Sequence, residues 1–320
     1  MPLLFDMPLE QLHDYQGRNP RPADFDAFWD RALAELEFLD PQVASIPAEF
    51  TSSFADCYHL YFNGVGGARV HAKLLRPKTG PSPHPAVLMF HGYAGSSGDW
   101  FSKLGYVGQG YTVAALDCRG QGGRSEDVGG VKGNTLQGHI IRGLDGPPEK
   151  MLFRQIFLDA AQLARIVMEM PDVDENRVGA LGGSQGGGLT LVCAALEPRI
   201  KQAAPLYPFL CDYRRIWELD LATDAYAELQ EYFRLFDPLH EREAAVFELL
   251  GYVDDQHLSP RIAAEVMMGT CLMDTVCPPS TQFAAYNKIQ SPKSLRIYPD
   301  YGHETPPGYE DLVFQFMARL

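Results

Sequence analysis

Gly182-Gly183-Ser184-Gln185-Gly186 is the single G-x-S-x-G match in the chain. A serine hydroxyl is a weak nucleophile until a base takes its proton and an acid orients that base. The apolar run Arg177-Val178-Gly179-Ala180-Leu181 precedes the match, and Gly187, Gly188 and the helix-like Leu189-Thr190-Leu191-Val192 follow it. That is the strand–turn–helix setting of a nucleophile elbow, whose glycines permit the turn that exposes Ser184. The competing reading is a glycine-rich turn whose serine caps the next helix. On hydrolases of this kind the triad runs Ser, acid, His along the chain. The candidate bases are His257, within the stretch from Phe209 to Ile262, and His303, after the last strand, and Tyr301-Gly302-His303-Glu304 sets His303 in a loop near the C-terminus, where a base is expected. Asp274 is the expected acid, since it follows an apolar run and precedes a turn at Thr275 to Pro279. Asp300 competes but lies too close to His303 on one loop. The oxyanion that develops in acyl transfer needs backbone donors: the N–H after the nucleophile, from Gln185, and one from the loop after the third strand. His91-Gly92-Tyr93-Ala94-Gly95 stands there, so Tyr93 is the second donor, and its ring could wall an acyl pocket. His91, at the strand end, is read as a buried, hydrogen-bonded group rather than a second base.

These residues need a scaffold, and the apolar periodicity supplies one. Runs at Ala86–Phe90, Thr112–Leu116, Arg177–Leu181, Ala203–Leu206, Val266–Cys271 and Leu295–Tyr298 are short enough for strands, and the polar residues each follow one of them. A helix-like stretch from Phe157 to Met170 carries Asp159 and Arg165 on its wetter face. Buried strands alternating with helices predict an α/β fold with a mostly parallel sheet covered on both faces, its site beyond the carboxyl ends of the strands. Pro20 and Pro22 precede an amphipathic helix opening near Asp24, with Phe25, Phe28, Trp29, Ala32, Leu33 and Leu36 on one face. The aromatic, charged stretch from about Phe209 to Ile262 reads as a helical insertion over the top of the sheet. The organisation expected is one domain over 1–320, with 1–40 an N-terminal extension.

Composition narrows the class of partner. Against 41 Asp+Glu the chain has 27 Lys+Arg, a net charge of −14, with the basic residues scattered, so a nucleic-acid partner is not expected. No run approaches the roughly 18 apolar residues of a membrane span. Met1 to Asp6 does not read as a secretory leader. The six cysteines form no CxxC pair and several sit in apolar runs, so free thiols in a reducing cytoplasm are expected. HExxH, zinc-spaced Cys/His clusters and the G-x-G-x-x-G fingerprint do not occur, and the chemistry calls for no metal or cofactor.

Pro22-Ala23-Asp24-Phe25-Asp26-Ala27-Phe28-Trp29, Arg119-Gly120-Gln121, Gly183-Ser184-Gln185-Gly186-Gly187, the run from Cys277 to Thr281, the run from Phe283 to Asn287 and the His303-Glu304 pair together resemble one family nearly end to end. It is the acetyl xylan esterase/cephalosporin C deacetylase group, carbohydrate esterase family 7, of the α/β-hydrolase fold. The resemblance implies a cytoplasmic serine esterase acting on small acetylated sugars and cephalosporin C, and a hexamer built as a trimer of dimers. It implies Ser184 as nucleophile, His303 as base, Asp274 as its orienter, Tyr93 and Gln185 at the oxyanion hole, and Val276 lining the acyl pocket. The Arg119-Gly120-Gln121 motif is read as structural, organising the loop beneath the site. Relatives often carry Pro before the tyrosine matching Tyr226, and this chain departs with Ala225. Two rival readings are a serine peptidase of the prolyl-oligopeptidase type, for whose lid the roughly 80 residues before the sheet are too few, and a non-catalytic binding protein on a hydrolase scaffold.

Overall fold

Six of the apolar runs become the parallel half of one sheet. The computed structural model describes residues 5–128 and 137–320, so Met1 to Leu4 of the leader reading lie outside the described residues. Among the described residues nine strands form a sheet in the order β1-β2-β3-β5-β4-β6-β7-β8-β9. They are β1 (Ala44–Pro47), β2 (Ala55–Asn63), β3 (Arg69–Pro77), β4 (His84–Phe90), β5 (Thr112–Asp117), β6 (Val173–Gly183), β7 (Gln202–Leu206), β8 (Glu265–Cys271) and β9 (Lys293–Tyr298). From β5 to β9 every pairing is parallel, whereas β1, β2 and β3 pair antiparallel, and β3 joins β5 in the same sense.

The first three strands correct the expectation that the residues before β4 precede the sheet. They are part of it, and the strand leading to Tyr93 is the fourth in chain order. Their signal is weak because polar side chains, His59 and His71 among them, face inward where an apolar alternation would be read.

The helices are α1 (Leu9–Asp14), α2 (Phe25–Glu37), α3 (Leu104–Gly108), α4 (Leu152–Met168), α5 (Gln185–Leu196), α6 (Tyr213–Glu218), α7 (Ala227–Phe236), α8 (Glu243–Leu250), α9 (Asp255–Leu258), α10 (Pro279–Tyr286) and α11 (Tyr309–Met317). Helices α4 and α5 are buried nearly all round, α5 with an almost wholly apolar sequence and α4 with Arg154, Asp159 and Gln162 among its buried residues. The stripe on α2 buries Phe25, Phe28, Trp29, Ala32 and Leu36, and the Trp29 indole stacks on Phe157 of α4 at 5.8 Å. The opposite face of the sheet buries Val87, Ala204, Leu206 and Met267 with Tyr309, Val313, Phe316 and Met317 of α11. Helices α6 to α9 fill the connection between β7 and β8, where the insertion was expected.

One reading of α4 is overturned. Asp159 is not on a wet face: it is fully buried, and its carboxylate accepts two hydrogen bonds from the equally buried Arg119 guanidinium at 2.5 and 2.6 Å. An ion pair formed across forty residues leaves no trace in the periodicity of the helix that carries one half of it.

Candidate active site

Strand β6 ends, and α5 begins, at one residue. Ser184 holds φ 58° and ψ −123°, a conformation that costs a non-glycine residue about 1–3 kcal/mol and persists only when its surroundings enforce it. The Ser184 N–H donates to Leu206 O, and its carbonyl accepts from the amides of Gly188 and Phe209, all at 3.0 Å. The glycine at 186 is required by close approach, since a Cβ there would stand 2.1 Å from Phe90 O. The elbow is therefore wedged between the carboxyl ends of β4 and β7.

His303, in the loop after β9, and Asp274, in the loop after β8, come to this turn from separate strands. The Ser184 hydroxyl meets His303 Nε2 at 3.0 Å, and His303 Nδ1 donates to Asp274 Oδ2 at 2.8 Å. A carboxylate oxygen only accepts, so its position fixes the imidazole tautomer and leaves Nε2 free to take a proton. The other Asp274 oxygen accepts from the amides of Val276 and Cys277 at 2.9 and 2.8 Å. Asp274 is fully buried, while the His303 side chain keeps 25% of its exposure, enough for a substrate to reach it. Asp300, the competing acid, is not the carboxylate that the imidazole meets. Tyr207, directly after β7, lays its ring against the imidazole at 4.6 Å. The sequence reading missed it, although its place at a strand's carboxyl end was the available signal.

Tyr93 lies in the loop after β4 and Gln185 at the first turn of α5. Neither backbone N–H has an acceptor among the described residues, so both are free to serve an incoming oxygen. The Gln185 side chain is buried and exchanges two hydrogen bonds with Gln121, at 2.8 and 3.1 Å. With Arg119 locked on Asp159, the Arg119-Gly120-Gln121 motif thus braces the elbow from below. His91 accepts the Cys118 N–H on Nε2 at 3.0 Å and donates from Nδ1 to Gly92 O at 2.7 Å, so it has no nitrogen left for base chemistry. It is only half-buried, a little more open than expected. Val276 is half-buried, packs against the main core and supports Asp274 through its amide.

Behind Tyr93, the Tyr226 hydroxyl accepts the Leu210 N–H at 3.0 Å and the Tyr226 ring packs on Phe209 at 4.3 Å. Ala225, where relatives often have proline, packs partly buried against the same core. The Tyr93 hydroxyl donates to Glu228 of α7, a buried carboxylate that no sequence motif announces.

Asp274, Cys277 and His303 bring a carboxylate, a thiol and an imidazole within 4.8 Å, which on donor types alone is a possible metal set. The fit is poor. Both Asp274 oxygens are already engaged, and burial pushes the Cys277 thiol well up, away from the thiolate that a metal takes.

The sequence matches the family model described as Acetyl xylan esterase (AXE1) over residues 1–320. The chain belongs to the acetyl xylan esterase family. This is a family of carboxylic ester hydrolases, and its α/β-hydrolase fold is the one described above. Acetyl xylan esterase 1 from Thermoanaerobacterium sp. JW/SL YS485 is 60% identical, with a TM-score of 0.96 over 98% of this chain and 99% of that one. An acetyl xylan esterase from Paenibacillus sp. R4 is 35% identical at a TM-score of 0.92, again over 98% and 99%. Acetyl esterase Axe7A of Xylanibacter ruminicola is 26% identical over 291 residues, and the chain spans 64% of that relative's length. Likeness to a Pyrococcus horikoshii acylaminoacyl peptidase, 15% identical at a TM-score of 0.60 and matched over 42% of its length, is one of fold alone. No helix among the described residues is long and apolar enough to cross a membrane.

Proposed function

We propose that the chain is a serine esterase that removes acetyl groups from small acetylated carbohydrates, xylooligosaccharides among them, and from cephalosporin C, through an acetyl-enzyme. The observation that carries this reading is the Ser184–His303–Asp274 hydrogen-bonded chain opening beside two unengaged amides. His303 Nε2 takes the Ser184 proton as Oγ attacks the ester carbonyl, and Asp274 stabilises the imidazolium. The carbonyl oxygen, now an oxyanion, accepts from the Tyr93 and Gln185 N–H groups. The tetrahedral adduct collapses, His303 returns the proton to the departing sugar alcohol, and the acetyl group stays on Ser184. Water, deprotonated by His303, then releases acetate by the reverse sequence. Val276 is assigned to the wall of the acyl site.

Membership of the family supports acetyl transfer to water, and the neutral character of acetylated sugars is compatible with a charge of −14, since such substrates need no electrostatic steering. The reading extends to one domain over 1–320, a cytoplasmic setting, on the strength of six buried free cysteines, and a homo-oligomer, a hexamer on the family resemblance. The test is a rate profile over p-nitrophenyl acetate, butyrate and octanoate, with an aminoacyl anilide alongside. A sharp fall after acetate is expected, together with covalent labelling of Ser184 by a serine-directed phosphonate. A long-chain optimum, a preference for the anilide or no label on Ser184 would each overturn the reading.

A further inference from the structure

Glu228 is a carboxylate buried to 1% exposure, with no arginine or lysine hydrogen-bonded to it among the described residues. Burial pushes it up to about 7, against the pull of the hydrogen bonds it receives. So costly a group is retained in an interior where it satisfies several donors at once. Here three converge on it. Oε1 accepts from the Tyr93 hydroxyl, and Oε2 accepts from the Ile140 and Ile141 amides at 2.8 and 3.0 Å. The Tyr93 hydroxyl in turn accepts from the His139 N–H at 3.3 Å. The Tyr93 ring is held sideways by Phe209 at 5.6 Å and His139 at 5.1 Å. Its far end is therefore fixed by α7, its faces by the segment after β7 and by residues 139–141, and its near end is the backbone that carries the free N–H.

From this arrangement we infer that Glu228 is a positioning residue for the oxyanion hole, clamping the Tyr93 side chain so that the Tyr93 amide stays aimed at the developing oxyanion. The inference rests on the reading that this amide serves the oxyanion, and it gives the β7–β8 connection a task in catalysis. Aim matters because an oxyanion donor acts only if it is set before the charge appears, and losing one such donor costs about 100- to 1,000-fold in rate. A donor that wanders loses part of that. Substrate binding in the ground state, which does not use the oxyanion, is largely spared.

The experiment compares Glu228→Ala, Glu228→Gln, Tyr93→Phe and the double variant Tyr93→Phe/Glu228→Ala on p-nitrophenyl acetate, with Ser184→Ala as reference and thermal melting of each protein. Glu228→Ala should lower kcat by about 10- to 100-fold, a fraction of a lost donor, while KM moves less than about threefold. Glu228→Gln keeps its carbonyl on the Ile140 and Ile141 amides and turns its NH2 toward the Tyr93 hydroxyl, which then accepts instead of donating, so the link survives and most of the loss should be recovered. The double variant should fall no lower than the worse single variant, because both changes break the same contact. Losses that multiply in the double variant, a KM effect with unchanged kcat, or a Glu228→Gln variant as slow as Glu228→Ala would overturn the proposal. Should Glu228→Ala fail to fold, Tyr93→Phe carries the test, and unchanged kcat there overturns it. Turnover surviving in Ser184→Ala would sink the esterase reading itself. An inactive Ser184→Ala beside a Glu228→Ala with full kcat would sink only the role of Glu228.

Discussion

Asp274 uses both of its carboxylate oxygens, and this is why asparagine cannot replace it. Oδ1 accepts two amides from its own loop and Oδ2 accepts the imidazole N–H. In Asp274→Asn the carbonyl must stay with the two amides, which turns the NH2 toward His303 Nδ1. A donor now faces that nitrogen, so the proton moves to Nε2 and the imidazole can no longer take one from Ser184. The expected outcome is a loss of about 10,000-fold in kcat on p-nitrophenyl acetate, the scale seen when a triad acid is replaced by its amide. The melting temperature should change little, because the two loop hydrogen bonds remain. A variant within tenfold of the parent would show that Asp274 is not the orienter. At this scale the sequence was highly legible. Serine, acid and histidine each follow an apolar run; the loop after the last strand favours His303 over His257, and Asp300 is set aside because it lies too close to His303 on one loop. What was not read are Tyr207, marked only by its place directly after β7, and Glu228, which reaches the site through bonds between distant segments. Neither lies in a motif.

Among the elements, the contact between the N-terminal segment and α9 is one whose strength depends on pH. His257 is buried in α9, donates from Nε2 to Pro20 O at 3.2 Å and meets the Phe25 ring edge-on at 5.7 Å. Burial, aided by the Lys288 charge, pushes its imidazole down to about 3. An unfolded histidine titrates near 6.5. Above that pH both states are neutral and the group adds no pH dependence. As the pH falls from 6.5 toward 3 the unfolded chain binds a proton that the folded one refuses, so stability is lost. By pH 5 this group alone costs about 2 kcal/mol. In His257→Gln, which retains a donor for Pro20 O, the drop in unfolding free energy from urea melts between pH 7.5 and pH 5 should be smaller than in the parent by that amount. Equal drops in the two proteins would count against it. The element scale also shows where sequence reading fails. Strands β4, β5, β7 and β8 were legible because they are apolar and almost wholly buried, β6 through its apolar second half and β9, an edge strand, through Leu295, Ile297 and Tyr298, whereas β1, β2 and β3 mix polar with apolar positions. Asp159 was misplaced because its partner, Arg119, is supplied by a different element.

For the whole molecule, a charge of −14 works against self-association, because like-charged copies repel at low ionic strength. An assembly must then be held by apolar contact. The outer end of the β7–β8 connection offers it: Leu235, Phe236 and Leu239 are 71%, 61% and 79% exposed within five residues, a grouping unlike the scattered apolar residues of an ordinary surface. Leu235 and Phe236 close α7, the helix whose first turn carries Glu228. The proposed hexamer would therefore use one end of α7 while the other end supports Tyr93. Light scattering on the eluting protein should give six times the 35.6 kDa of the chain. The double change Leu235→Glu/Phe236→Glu should shift it to smaller species, and more completely at 20 mM salt than at 500 mM, where added charges are screened within about 5 Å. Because the Ser184–His303–Asp274 chain and both free amides lie within one copy, the dissociated variant should keep turnover on p-nitrophenyl acetate within about threefold of the parent, an interval set by the few tenths of a kcal/mol that surface changes typically carry. A parent that elutes as a single chain would remove the hexamer. A dissociated variant without activity would show that a neighbouring copy completes the site.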